Sequence, residues 1–197
     1  MKATALLKKQ HNVVADLFKQ IEKSKDAKKK KALFEELASN LAAHDTIERE
    51  IFYPAVEKEM GITDLLGEAL VEHGVVEFSL YLADEALGED DFDFKVQVLS
   101  EIVEHHVEEE EEELFPKVEK ALGAELLEEL GVEMEARFEE AKAADFRGPL
   151  HENLRQVLKG VLEPSSAKGA KKPAAKKALT LKPAKAAKKP TKTARAA

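Results

Sequence analysis

Six residues of this chain combine a metal-ligating side chain with a telling spacing. His44 and Glu48, and again His106 and Glu110, stand four apart. On a helix such a pair lies on one face, about one turn apart, so an imidazole and a carboxylate can converge on one inward point. The pairs sit in stretches that nearly repeat. His44-Asp-Thr-Ile-Glu48-Arg-Glu-Ile-Phe52-Tyr53-Pro54 aligns without gaps on His106-Val-Glu-Glu-Glu110-Glu-Glu-Glu-Leu114-Phe115-Pro116, 62 residues later. Gln10-His11-Asn12-Val13-Val14 aligns on Glu72-His73-Gly74-Val75-Val76 with the same offset of 62.

Two H-x3-E pairs on facing helices place two carboxylates between two metal positions, where each carboxylate can bridge and each metal takes two imidazoles. Four His and two Glu without a thiolate favour an octahedral N/O site over a structural tetrahedral zinc, and this donor set suits iron. With both carboxylates and one oxo or hydroxo group bridging, at least one position stays open. A small diatomic or a peroxide would bind there.

The elements that must position these residues are helices. Leu7, His11, Val14, Phe18 and Ile21 form one apolar stripe, and Lys23 to Lys31 reads as a solvated break. Leu37, Leu41, His44, Glu48, Ile51 and Ala55 form a second, ended by Gly61, and Leu66, Leu70, His73, Glu77, Leu80 and Asp84 a third, broken at Gly88-Glu89-Asp90-Asp91. The fourth runs from about Phe94 to Leu122, with Leu99, Val103, His106, Glu110 and Leu114 in line, and Gly123 closes it. Short links make successive helices antiparallel, so the expected fold is all-α, an up-down-up-down four-helix bundle over 1–122. Two accessory C-terminal helices within 123–164 are expected to pack on its outside. Histidines and glutamates in the stripe would cost several kcal/mol unpaired, so something inside must satisfy them.

Composition agrees. The 197 residues are 44% hydrophobic and 36% charged, with no Cys and no Trp. A disulfide scaffold, a Cys-ligated cluster and a thiol nucleophile are therefore excluded. The first ten residues, MKATALLKKQ, resemble neither a signal peptide nor a membrane span, so the expectation is a cytoplasmic protein without membrane contact. The net charge of −8 hides a division: residues 165–197 carry eleven Lys or Arg and no acid, which leaves −19 on the rest. Rich in Lys, Ala and Pro, that tail is expected to be disordered. Eleven cations could contact nucleic acid non-specifically in a salt-dependent way, whereas the absence of aromatics excludes base stacking. The alternative is a solubilising tail that folds back on the acidic body.

QHNVVADLF, HDTIEREIFYP, EHGVVEFSL and HHVEEEEEELFP, in this order between about Ala5 and Lys120, resemble the hemerythrin-like family, also called the HHE cation-binding domain. The resemblance implies that His11, His44, Glu48, His73, His106 and Glu110 ligate two non-haem iron ions, with Glu48 and Glu110 as bridges. It also implies a role among carriers of oxygen, sensors of oxygen, nitric oxide or iron, and proteins of peroxide or nitrosative stress. Oxygen carriers of the family have a fifth His one turn after the third ligand. Here that position is Glu77, a candidate additional ligand or proton acceptor, so reversible oxygen carriage does not carry over.

Other residues are weighed against these. His105 lines up with Val98, Ile102 and Glu109, but only His106 stands ten residues before its Pro as His44 does. That makes His105 a neighbour of the site or a surface residue, and Tyr53 a candidate hydrogen-bond partner near the metals. His151, outside both repeats, is expected to be exposed. Of the run Glu108 to Glu113 only Glu110 is expected to point inward, and Phe18, Phe52 and Phe115 are expected to be plain core. No residue is assigned as catalytic. The reading is a di-iron protein that binds or senses a small ligand or iron. The competing readings are an enzyme at the same centre, decomposing peroxide or oxidising iron, and a metal-free interaction bundle with a nucleic-acid-binding tail.

Overall fold

The computed structural model describes residues 1–158, and the basic tail predicted for 165–197 lies outside them. The described residues form helices α1 (Ala3–Lys23), α2 (Ala27–Ile47), α3 (Tyr53–Met60), α4 (Asp64–Glu85), α5 (Phe92–Glu109), α6 (Phe115–Lys142) and α7 (Arg147–Leu158). Two π-helical turns, Glu48–Phe52 and Glu110–Leu114, join α2 to α3 and α5 to α6. The chain thus runs as an up-down-up-down bundle with further C-terminal helices, and no strand occurs among the described residues.

The second helix starts earlier than the lysine run suggested, because Asp26 caps it, accepting from the Lys29 amide at 3.0 Å. The π turns follow from Pro54 and Pro116. A proline offers no N–H and its ring crowds the carbonyl four residues back, so the turn before it takes in one extra residue. Tyr53 and Phe115 then donate their amides to the carbonyls of Glu48 and Glu110, five residues back. The adjacent pairs Phe52–Tyr53 and Leu114–Phe115 are all buried. The repeat extends to the glycines, with Gly61 at φ 74°, ψ 177° and Gly123 at φ 76°, ψ 172°, a region that favours residues without a Cβ. Gly61 ends its helix, whereas at Gly123 the helical path bends and the rest of α6 packs along α1 and α2. There Gly131 passes so close to the N-terminus that a Cβ would collide with the Met1 carbonyl.

The core is two apolar clusters with a polar layer between them. One holds Val14, Leu17, Phe18, Leu41, Leu80, Leu99 and Val103; the other holds Leu6, Leu7, Ile47, Phe52, Tyr53, Leu66, Leu114 and Phe115. Burying each of these larger side chains stabilises the fold by about 1.5–3 kcal/mol. Helix α7 is more than an external addition: its Leu150 and Leu154, with Phe146 just before it, belong to the first cluster, and Arg147 forks onto Asp84 at 2.9 and 2.7 Å.

Candidate metal centre

All six residues of the double repeat converge in the polar layer, each buried: His11, His44, Glu48, His73, His106 and Glu110. His11 and His44 face each other through Nε2 at 3.2 Å, and His73 and His106 do so at 3.1 Å. Glu48 Oε2 lies 3.2 Å from Nε2 of both His44 and His73. Glu110 Oε2 lies 3.5 Å from His11 Nε2 and 3.7 Å from His106 Nε2. Each carboxylate therefore stands between an imidazole of the first hairpin and one of the second. Two ligands about 2.1 Å from one ion are about 3.0 Å apart at a right angle and about 3.4 Å apart at a tetrahedral one. The separations about Glu48 and within the two imidazole pairs, 3.1 and 3.2 Å, fall in this range, and those about Glu110, 3.5 and 3.7 Å, lie just above it. His11, His44, Glu48 and Glu110 form one such donor group and Glu48, His73 and His106 another, each with its ligand atoms within 4.8 Å of one another.

The outer ring nitrogens are all occupied. His44 Nδ1 donates to Gln10 at 2.9 Å and His106 Nδ1 to Glu72 at 2.8 Å, a pair of bonds that obeys the same offset of 62. His11 Nδ1 donates to Glu111 at 2.8 Å and His73 Nδ1 to Asp45. With Nδ1 protonated, a neutral imidazole presents its Nε2 lone pair inward. Both oxygens of Glu48 and Oε2 of Glu110 are buried with no hydrogen-bond partner. Inward Nε2 atoms facing carboxylate oxygens without hydrogen-bond partners fit cations between them; with no ion there, protonated His73 is the counter-charge that Glu48 has.

Tyr53 reaches the same layer. Its hydroxyl donates to Glu110 Oε1 at 2.9 Å and lies 2.8 Å from His73 Nε2. The position 62 residues later is Phe115, which has no hydroxyl, and this is why Glu48 keeps two orphaned oxygens where Glu110 keeps one. Glu77 is not within either donor group. Its carboxylate pairs with Arg49 at 3.2 Å and accepts from Asn153 of α7 at 2.6 Å. His105 points outward, with 63% of its side chain exposed. His151 is exposed as well, its ring 5.6 Å from that of Tyr81.

The electrostatics follow the same geometry. Burial would raise the Glu48 carboxyl, but His44 and His73 hold it well below its ordinary value. Burial would lower the imidazoles, but Glu110, Glu48 and Glu111 raise His11, and Asp45 with Glu48 raises His73 to about 10. Burial, with Glu110 and Glu48, pushes the Tyr53 phenol well up. Burial and the neighbouring Asp45 push Glu77 up to about 7, against Arg49 and Asn153.

Beside this cage lies a cavity of about 50 Å³, room for a few water-sized molecules. The four histidines, Asp45 and Glu77 form its polar wall, Val14, Leu41, Leu80 and Val103 its apolar wall, and Pro149, Leu150 and Asn153 of α7 its roof. Phe18, Phe52 and Phe115 do not line it and are core. The sequence reading missed Gln10, Asp45, Glu72, Glu111 and Asn153. Gln10 and Glu72 each precede a repeat histidine and could have been found there. Glu111, expected on the solvated face, is half-buried and holds His11.

Comparison with known proteins gives the chain its relatives. A family model described as the hemerythrin HHE cation binding domain matches residues 2–118. A crystal structure of a hemerythrin HHE cation binding domain-containing protein from Mycobacterium kansasii superposes with a TM-score of 0.64 at 28% identity, covering 82% of this chain and 97% of that one. A protein of Nostoc sp. named DNA nickase is 29% identical over 134 residues, 66% of this chain. The match spans only 37% of that relative's length. No helix among the described residues is long and apolar enough to cross a membrane.

Proposed function

Because the chain belongs to the hemerythrin HHE cation-binding domain family, we propose that the cage holds two non-haem iron ions and that a small ligand, dioxygen, nitric oxide or a peroxide, binds in the cavity beside it. The observation that carries this reading is the disposition of lone pairs and protons. Every Nδ1 has an acceptor on its outer side, and the four Nε2 atoms face Glu48 Oε2 and Glu110 Oε2, neither of which has a hydrogen-bond partner. Imidazole with carboxylate and no thiolate favours iron over a structural zinc. When bound, the iron pair would supply redox chemistry and an open coordination position.

The chain's own residues do the rest. His11, His44, His73 and His106 would hold the ions, with Glu48 and Glu110 as bridges. Gln10, Asp45, Glu72 and Glu111 fix the ring orientations. The Tyr53 hydroxyl fixes Glu110 Oε1 and leaves Oε2 free. Val14, Leu41, Leu80 and Val103 limit water in the cavity. Glu77, with its carboxyl at about 7, can hold a proton at the cavity wall, positioned by Arg49 and Asn153. That proton store favours one second reading, peroxide decomposition at the same centre. For partners, we propose that residues 165–197 contact nucleic acid non-specifically, supported by their eleven basic and no acidic residues and by the name of the Nostoc relative.

The test is metal analysis of protein purified without chelator, then optical spectra of the reduced protein mixed with oxygen, nitric oxide or hydrogen peroxide. Two irons per chain and a ligand-dependent spectrum are expected. One tetrahedral zinc per chain and no affinity for iron would overturn the proposal. Sustained peroxide turnover favours the enzyme, and reversible binding without turnover favours the sensor.

A further inference from the structure

One other set of metal-type donors converges among the described residues: Glu72 of α4 with His105 and Glu109 of α5, their ligand atoms within 4.8 Å of one another. His105 Nε2 lies 3.6 Å from Glu72 Oε1 and 3.5 Å from Glu109 Oε1. Neither contact is a good hydrogen bond, so the trio does not hold itself together. Both separations match two ligands at about 2.1 Å from one ion and a tetrahedral angle apart, about 3.4 Å.

Glu72 faces two ways. Its Oε1 looks to His105 at the surface, while its Oε2 accepts from Nδ1 of the buried His106 at 2.8 Å. Beside the trio is a cavity of about 10 Å³ lined by Glu72, Glu109, His106 and Glu110 together with Leu65, Ala69 and Leu114, enough for one water-sized particle. Glu110, 2% exposed and with Oε2 unpartnered, is among the residues that line it. The surface around the trio is acidic: Glu104, Glu108 and Glu112 are exposed nearby, on a body whose net charge before residue 165 is −19. Such a field raises the local concentration of cations. The trio is absent from the first hairpin, whose positions 62 residues earlier are Gln10, Ala43 and Ile47.

We infer that Glu72, His105 and Glu109 form a surface site that captures a divalent cation and passes it between Glu72 and Glu109 to Glu110 and the cage. Three ligands at an exposed position make a weak and labile site, as loading requires. The inference rests on the reading of the cage as the metal centre. It is tested with H105A/E109Q, which leaves Glu72 in place to orient His106. Protein whose cage content has been measured and found filled is titrated with Mn2+, following loss of the free-ion electron paramagnetic resonance signal. The wild type should bind one additional, weaker Mn2+ per chain and the variant none. Ferrous uptake by metal-free protein, followed by stopped flow, should be about tenfold slower in the variant, the order by which a local field enhances cation encounter, with the same final iron content. A filled cage with no additional Mn2+ in the wild type, or with equal uptake rates in the two proteins, overturns the loading site. A cage that takes no metal in either protein overturns the proposed centre instead.

Discussion

Removing metal from the cage should destabilise the protein by an amount set by its orphaned oxygens, and Glu48→Met should abolish that dependence. Three carboxylate oxygens, two of Glu48 and one of Glu110, are buried without a partner. Each unsatisfied buried group costs about 1–3 kcal/mol. A cation that satisfies all three relieves roughly 3 kcal/mol even at the low end, which for a domain of this size corresponds to a melting temperature about 6–12 °C lower after chelation. Glu48→Met removes two of the three orphans and fills their space with an apolar side chain, so no carboxylate oxygen is left there without a partner. His73 keeps Asp45 as its partner in the variant. Calorimetry of both proteins with and without chelator should therefore show a crossing: metal-loaded wild type above the variant, metal-free wild type at or below it, and no response of the variant to iron. The reasoning is refuted if chelation leaves the wild-type melting temperature unchanged, or if metal-free Glu48→Met melts several degrees below metal-free wild type.

Glu77 makes stability depend on pH. Its carboxyl is raised from 4.5 to about 7, so its favourable contribution is complete below pH 4.5 and is lost as pH rises through 7; Glu77→Gln should flatten that slope in urea titrations across the same window. Tyr53→Phe deprives Glu110 Oε1 of its donor and should destabilise the metal-free protein by about 1–3 kcal/mol in urea, while metal content stays at the wild-type value. Truncation after Pro164 should abolish any nucleic-acid binding and leave iron content unchanged; in gel-shift titrations the full chain should lose affinity steeply from low to physiological salt, and equal binding by both forms would exclude the tail as the contact.

The architecture and the six inner residues were readable because helix geometry ties spacing to facing. An H-x3-E pair inside an apolar stripe can only point where the stripe points, and the offset of 62 carries the argument from one hairpin to the other. The helix bounds were less readable at Asp26, whose capping outweighed the lysine run. The groups that hold the rings were harder still, since nothing about Asp45 or Glu111 in the linear chain distinguishes a hydrogen-bond acceptor from a solvated acid. Glu77 could be recognised as unusual from its place in a stripe. Its partners could not, because Arg49 is fixed by the packing of α2 on α4 and Asn153 lies 76 residues further along, in a helix expected to be peripheral. The two prolines did carry a signal for the π turns, standing ten residues after His44 and His106 in stretches that remain helical on both sides.

The roof of the cavity has a kinetic consequence. Helix α7 is twelve residues long, packs chiefly on α4, and is held by Phe146, Leu150, Leu154 and the polar anchors Arg147 and Asn153. The cage, by contrast, is built wholly from α1, α2, α4, α5 and the two π turns. Loosening of the last helix would widen the cavity and leave the six inner residues in place. Amide hydrogens of α7 would then exchange faster than those of α4 and α5, and the wall that α7 forms could change without any change in the melting temperature.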